Sequence, residues 1–527
     1  MATLLFFIVP KAEAQNYTCT SSINVASGAS INVGANQTVC LTATSGTYNP
    51  SSITIATTGT LVIKAGVKLS FTGWPTNLGG KIINLGTLNL GGNLASGRIE
   101  NYGHTTINQM QQPTSNSNPI TLTNNGLLEV SGYWALYNAY INNQSDSVIF
   151  HSSSTLYNTT IDNSGYMEFT NGINNTYNSS FNNYGYFKVG SQIQFNDGTY
   201  LSNDSTMSFN GGTVNFQGAL FTNNGRIMVN GGHDFHLDKA TNGIANNGIW
   251  VVSGSITFGA AITLTNNCRI VANGDFQMNT LDTLYNNGLL WITGAGQSVN
   301  LTTTGSTIIN GSNGFVRAEK YKSTGPIISG FGIFYFTGTT TNGGSIIGSS
   351  ASNPIKFYTP SGNPVGGTKS NVTFLPISSI GTLKDTTNYD CGGNPVTVVG
   401  NPPYVKGDTV VLCSAAPVTF HLITDGLITP YDNTYTISWS TLKLFSIGGA
   451  ENTTTLATVQ GTWIADTTNK TIVFTPAAGF TSGTATAQFK VADKKTGNPT
   501  TYPSTKALLM VKVTPVWAPT NLNAEGY

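Results

Sequence analysis

From Asn124 to Leu289 the chain returns to the same short phrase about every twenty residues, with Asn-Asn-Gly at 124–126, 223–225, 246–248 and 286–288 and degenerate copies between. A period that short decides what the chain can fold into. The position of the glycine runs Gly126, Gly165, Gly185, Ser205, Gly225, Gly248, Cys268, Gly288 and serves as a ruler. The second residue after it is Leu128, Met167, Phe187, Met207, Ile227, Trp250, Ile270 and Leu290. The fourth is Val130, Phe169, Val189, Phe209, Val229, Val252, Ala272 and Ile292. Both columns are apolar throughout, while those between them admit Glu129, Glu168, Lys188, Arg226 and Arg269. Such alternation is a strand with one face inward. The frame extends back through Gly59 and Gly86 and forward to Gly314.

A unit of one turn and a few short strands cannot bury its own apolar face, so it must stack on its neighbours. A propeller blade needs roughly forty residues, and a leucine-rich repeat needs a frame absent here. Helical solenoids need helix formers that this Gly/Asn/Thr/Ser-rich stretch lacks. The reading that remains is all-β: a parallel β-helix of about 20-residue coils, a dozen of them, rising by roughly 4.8 Å each. The Asn before each glycine is expected to stack on that of the next coil as an amide ladder. The Asn-Gly pair is expected to turn the chain through the left-handed region.

At 527 residues, 9% charged and net +1, the chain is too neutral to attract nucleic acid or an anionic membrane by charge. No later segment is apolar enough to span a membrane. Residues 1–14 end in Ala12-Glu13-Ala14 after the apolar run Leu4 to Val9 and read as a signal peptide, which implies an extracellular location. Cysteine spacing agrees, with two local disulfides expected, Cys19–Cys40 and Cys391–Cys413. Cys268, left over, stands on the ruler as a small buried substitute for glycine.

The domain boundaries follow from where the period starts and stops. Residues 15–52 are expected to form an N-terminal cap, 53–348 the β-helix, and 349–384 an irregular cap or linker. Residues 385–514 alternate in short strands with frequent turn signals and read as a β-sandwich. Within them Gly461-Thr-Trp463, Ile472-Val-Phe474-Thr-Pro476, Gly479-Phe480 and Gln488-Phe-Lys-Val491-Ala-Asp493 stand in order after Ser440 to Leu444. This succession resembles the CshA-type fibril repeat and related Ig-like modules of bacterial surface proteins, over about a fifth of the chain. Lys494 and Lys495 depart from it, standing where that pattern has a turn. Residues 515–527, with Pro-Val-Trp-Ala-Pro before Leu-Asn-Ala, resemble the linker and first strand of a fibronectin type III module. The combination resembles modular, Bacteroidetes-like surface adhesins, and the resemblance implies a secreted, non-catalytic, structural or adhesive role.

Two constellations in the coils could carry chemistry. Asp234, His236 and Asp238 fall on one strand face and are candidate metal or acid/base groups, although a solvated strand edge explains the same pattern. Tyr137, Tyr157 and Tyr177, each followed by Asn, recur one coil apart beside Tyr133, Trp134 and Tyr140. Aromatic rows beside amides suit sugar rings and hydroxyls, so these six are the candidate ligand-binding residues, with glycans or other cell-surface proteins as partners. Aromatic ladders also stabilise coils without any ligand. No catalytic residue and no cofactor is assigned. The competing readings are a carbohydrate-active β-helix enzyme, a lyase or hydrolase, which needs paired carboxylates within about 10 Å, and a glycan-binding module.

Overall fold

The computed structural model describes residues 17–23, 28–42, 47–73, 76–112, 119–239, 241–259, 261–301, 305–381, 404–405, 407–412, 414–429, 435–446, 453–495, 501–503 and 507–513. The expected signal peptide, the Cys391–Cys413 bridge and the fibronectin-like ending lie outside them. Three strands make one turn of a parallel β-solenoid. In one coil these are Tyr140–Asn143, Ser147–Phe150 and Ser154–Tyr157, which pair in parallel with Thr160–Asn163, Tyr166–Phe169 and Ile173–Tyr177 of the next. The three stacks of strands are called here the first, second and third faces. Residues 21–376 form about 16 turns, a rod on the order of 75 Å long at one strand spacing per turn.

Alternation sets the core. In that coil Ile141, Val148, Phe150 and Leu156 point inward and are buried, and the residues between them point out. Each buried side chain of this size contributes roughly 1.5–3 kcal/mol of burial relative to exposure. One apolar cluster runs continuously from Ile31 to Val365.

The rod is longer than the expected dozen coils at both ends. Ser21–Ile23 pairs in parallel with Thr38–Leu41, which pairs with Thr60–Ile63, so much of the expected N-terminal cap is itself coil. Cys19 and Cys40 are disulfide-bonded there, as the spacing implied. Ile355–Thr359 pairs with Val372–Pro376, so the expected irregular linker also begins as regular coil. The chain then turns outward in a short 3-10 helix, Ile377–Ser379, and Ile380 joins Leu289, Phe315, Tyr335 and Tyr358 in a second apolar cluster on the outside of the second face. Arg317 lies in it 4.9 Å from the Trp291 ring centre and 5.6 Å from that of Tyr335.

Two details of the repeat differ from expectation. The expected ladder beside the ruler forms on the outside, and a second one, in most coils two positions before the ruler, enters the rod. Asn84, Asn101, Asn124, Asn143, Asn163, Asn183, Asn203, Asn223, Asn246, Asn266, Asn286 and Asn310 are all buried, and each amide donates to the next at 2.7–2.9 Å. The residue beside the ruler forms the exposed ladder along Asp204, Asn224, Asn247, Asn267 and Asn287. Nor do the ruler glycines adopt left-handed backbone. They are small because the coil below is close: a Cβ on Gly225 would stand 2.0 Å from the Ser205 carbonyl oxygen. The left-handed turn is taken instead by Asn138, Asn158 and Asn178, with φ of 56°, 47° and 47°.

Cys268 is buried and disulfide-bonded, to a partner outside the described residues. That corrects its reading as an unpaired glycine substitute.

The described C-terminal residues form two main sheets. One holds Asp408–Leu412, Ala507–Val513, Gly483–Lys495 and Tyr435–Phe445, and the other Val418–His421, Thr471–Pro476, Gly461–Asp466 and Thr455–Thr458. Trp463, Phe474 and Phe420 from the second sheet share one buried cluster with Leu444, Phe489 and Val511 from the first. The Gly-x-Trp and Val-x-Phe strands singled out in the sequence pair antiparallel, Trp463 opposite Phe474. The strand Gly483–Lys495 includes Lys494 and ends at Lys495, the two pairing with Thr436 and Tyr435.

Candidate functional site

The tyrosine ladder forms on the third face. Tyr137, Tyr157 and Tyr177 are half-buried and stack with ring centres 5.1 and 4.9 Å apart and planes within 9° and 14°. Asn158 donates to Asn138 beside it at 3.1 Å. Rings in this arrangement spend their faces on each other, and what they turn to solvent is a row of edges and hydroxyls. Burial and its stacked neighbours hold the Tyr157 phenol above its ordinary pKa. The ladder's chemistry is therefore that of a stacked spine more than of a platform for a sugar ring.

The other aromatic residues separate. Trp134 is fully buried, packs on Phe150 and Phe169 at 5.0 and 5.5 Å, and donates its indole N–H to the Ser152 carbonyl at 2.6 Å. It belongs to the core and not to a surface strip, because the parity that points Tyr137 outward points residue 134 inward. Tyr133 is exposed in the preceding turn. Tyr140 is exposed on the first face, and its hydroxyl donates to Asp162 Oδ2 at 2.8 Å. Burial, then Asp162, raises its pKa to about 12.

Asp234, His236 and Asp238 share an outward face, with Phe235 and Leu237 buried between them. His236 stands 3.9 Å from Asp234 Oδ2 and 3.8 Å from Asp238 Oδ1, and Asp234 Oδ1 is taken by the Ser255 backbone N–H at 2.6 Å. Among the described residues no three His, Cys, Asp or Glu side chains converge to hold a metal.

One charged cluster went unmarked in the sequence reading. On the second face His104 Nε2 lies 2.9 Å and His151 Nε2 3.4 Å from the two oxygens of Glu129, and Lys188 lies 2.9 Å from Glu168. Tyr166 also donates to Glu168. The signal was available, because Glu129, Glu168 and Lys188 fall in the same ruler column and His104 follows Gly103. Glu129 and Glu168 are two coils apart through Ile149, so their Cα atoms are separated by roughly 9–10 Å, at the outer limit for an acid/base carboxylate pair. Burial pushes both carboxyls up, but the two histidines at Glu129, and Tyr166 and Lys188 at Glu168, outweigh it and hold both below the usual range. A general acid needs the opposite shift.

Comparison of the chain with protein-family models, with curated proteins and with solved structures finds no match.

Proposed function

We propose that the protein is a secreted, surface-presented structural or adhesive rod whose coils supply reach and stiffness and whose C-terminal part is an Ig-like spacer. The observation that carries this reading is the buried asparagine ladder, continuous over twelve coils from Asn84 to Asn310. It holds each turn to the next through side chains that point away from any ligand. The resemblance of residues 420–514 to CshA-type fibril modules supports the spacer role, as do the two sheets that pack on one core there. The apolar run before Ala14 and the Cys19–Cys40 bond support an oxidising, extracellular setting. Neither carboxylate arrangement described above favours catalysis.

The test is antibody labelling of intact cells that produce the chain, with a reducing-sugar release assay on purified protein. Surface labelling without permeabilisation and no turnover on a polysaccharide panel is the expected result. Labelling only after permeabilisation refutes the location, and turnover on any polysaccharide refutes the non-catalytic role.

A further inference from the structure

Three exposed tyrosines lie outside the ladder. Tyr140, Tyr184 and Tyr200 are 36, 46 and 39% exposed and lie on or beside the first face, within four consecutive coils. Strand register places Tyr140, Thr160, Ser180 and Tyr200 in one outward column. Two tyrosines roughly 14 Å apart along the rod therefore bracket two small hydroxyl side chains. The neighbouring outward column reads Asn142, Asp162, Asn182, Ser202. Tyr184 stands in the turn that follows the strand Ser180–Asn183, and burial, then Asp204, Asp162 and Tyr200, raise its pKa. The surface this makes is a strip in which Thr160 and Ser180 separate Tyr140 from Tyr200, with Asp162 and Asn182 in the column beside them.

The polar groups are already oriented. Asp162 accepts from Tyr140 through Oδ2 at 2.8 Å and from Asn182 through Oδ1 at 2.7 Å, which fixes the carboxylate and leaves each oxygen a further lone pair. Tyr200 is held by Thr222 Oγ1 at 3.3 Å, on the side away from the strip. Exposed tyrosines beside fixed acceptors and hydroxyls match a pyranose, whose C–H face stacks on a ring while its hydroxyls bond at the edge. Charge narrows the class. Neither column contains Lys or Arg, and Asp162 and Asp204 make the strip repel anions.

We infer that this strip, built by Tyr140, Asp162, Ser180, Asn182, Tyr184 and Tyr200, is a binding site for an uncharged glycan of hexose or N-acetylhexosamine units. The inference goes beyond the surface-rod reading and does not depend on it, because it is tested on purified protein whatever its location.

The test is a glycan array probed with the 527-residue chain, each hit then titrated by calorimetry with the free oligosaccharide. Retention of neutral oligosaccharides is expected, weakened at least tenfold in Tyr184→Ala and in Tyr200→Ala, while Tyr285→Ala, exposed farther along the same face, binds as the parent does. Hydrogen exchange over residues 140–226 checks that the coils are intact, which exposed positions should allow. No retained neutral glycan, retention of sulfated or sialylated glycans alone, binding that survives both strip variants, or equal loss in Tyr285→Ala would each overturn the site.

Discussion

Asn203→Ala is the sharpest probe of what holds the rod together. Asn203 is fully buried; its amide donates to Asn223 Oδ1 at 2.8 Å and to the Arg226 carbonyl at 3.1 Å, and its Oδ1 accepts from Asn183 at 2.8 Å. Alanine leaves Asn223 Oδ1 without that donor and removes one of the acceptors of Asn183, whose amide keeps Thr206 O at 2.9 Å. At roughly 1–3 kcal/mol for each buried polar group left unpaired, with two or three groups affected, the cost is about 2–9 kcal/mol. In a solenoid that cost falls on the interface between adjacent coils. Hydrogen exchange by mass spectrometry should therefore show faster opening in peptides spanning 183–226 than in coils near 284–310. Asn247→Ala, in the exposed ladder, should cost no more than about 0.5 kcal/mol. Asn203→Asp adds a pH signature. A carboxyl buried among oxygen acceptors has a raised folded pKa, so its neutral form is favoured and the variant loses stability as pH rises above about 4, the unfolded value. Equal exchange in the two alanine variants, or an Asn203→Asp variant indifferent to pH, would refute the ladder as the source of stiffness.

Other perturbations separate core from surface and ends from middle. Trp134→Ala should cost about 3–5 kcal/mol by urea unfolding, as for a buried aromatic, whereas Tyr133→Ala should fall within about 0.5 kcal/mol. Reduction of Cys19–Cys40, which closes a loop of 21 residues, should cost about 3 kcal/mol on the chain-entropy model, with exchange protection lost in the first coils and unchanged near Asn203. Glu129 sits between two histidines with a lowered folded pKa, so its contribution is complete above the unfolded value near about 4.3 and fades as pH falls through the folded one. Glu129→Gln should accordingly be the less stable protein at about pH 7, and the difference should shrink as pH falls below about 4. Mass-spectrometric disulfide mapping should find Cys268 joined to Cys391 or Cys413 and no Cys391–Cys413 bond.

Most of the coil was legible in the sequence because its constraints are local and repeated. Two columns that never admit charge define an inward face, and the structure buries both. The inner asparagine ladder was equally legible, though in a different column. The residue two before the ruler is Asn at 84, 101, 124, 163, 183 and 203, while the residue beside it varies as Leu85, Tyr102, Asn125, Ser164, Tyr184 and Asp204. A column that accepts one residue type only is bearing a constraint that variation elsewhere does not share, and a buried amide is such a constraint. Trp134 yields to the same logic, since period-two parity from Tyr137 sends it inward.

What the sequence could not convey is which way a ring faces once the coils are stacked. Tyr137, Tyr157 and Tyr177 recur at one coil, and recurrence at one coil is the condition for rings to cover one another. Tyr140 and Tyr200 share a column three coils apart, with Thr160 and Ser180 between them, and both are exposed. Regular spacing in a solenoid thus marks residues that serve the stack. A side chain available to a ligand has to break the period, as Tyr140, Tyr184 and Tyr200 do around Asp162.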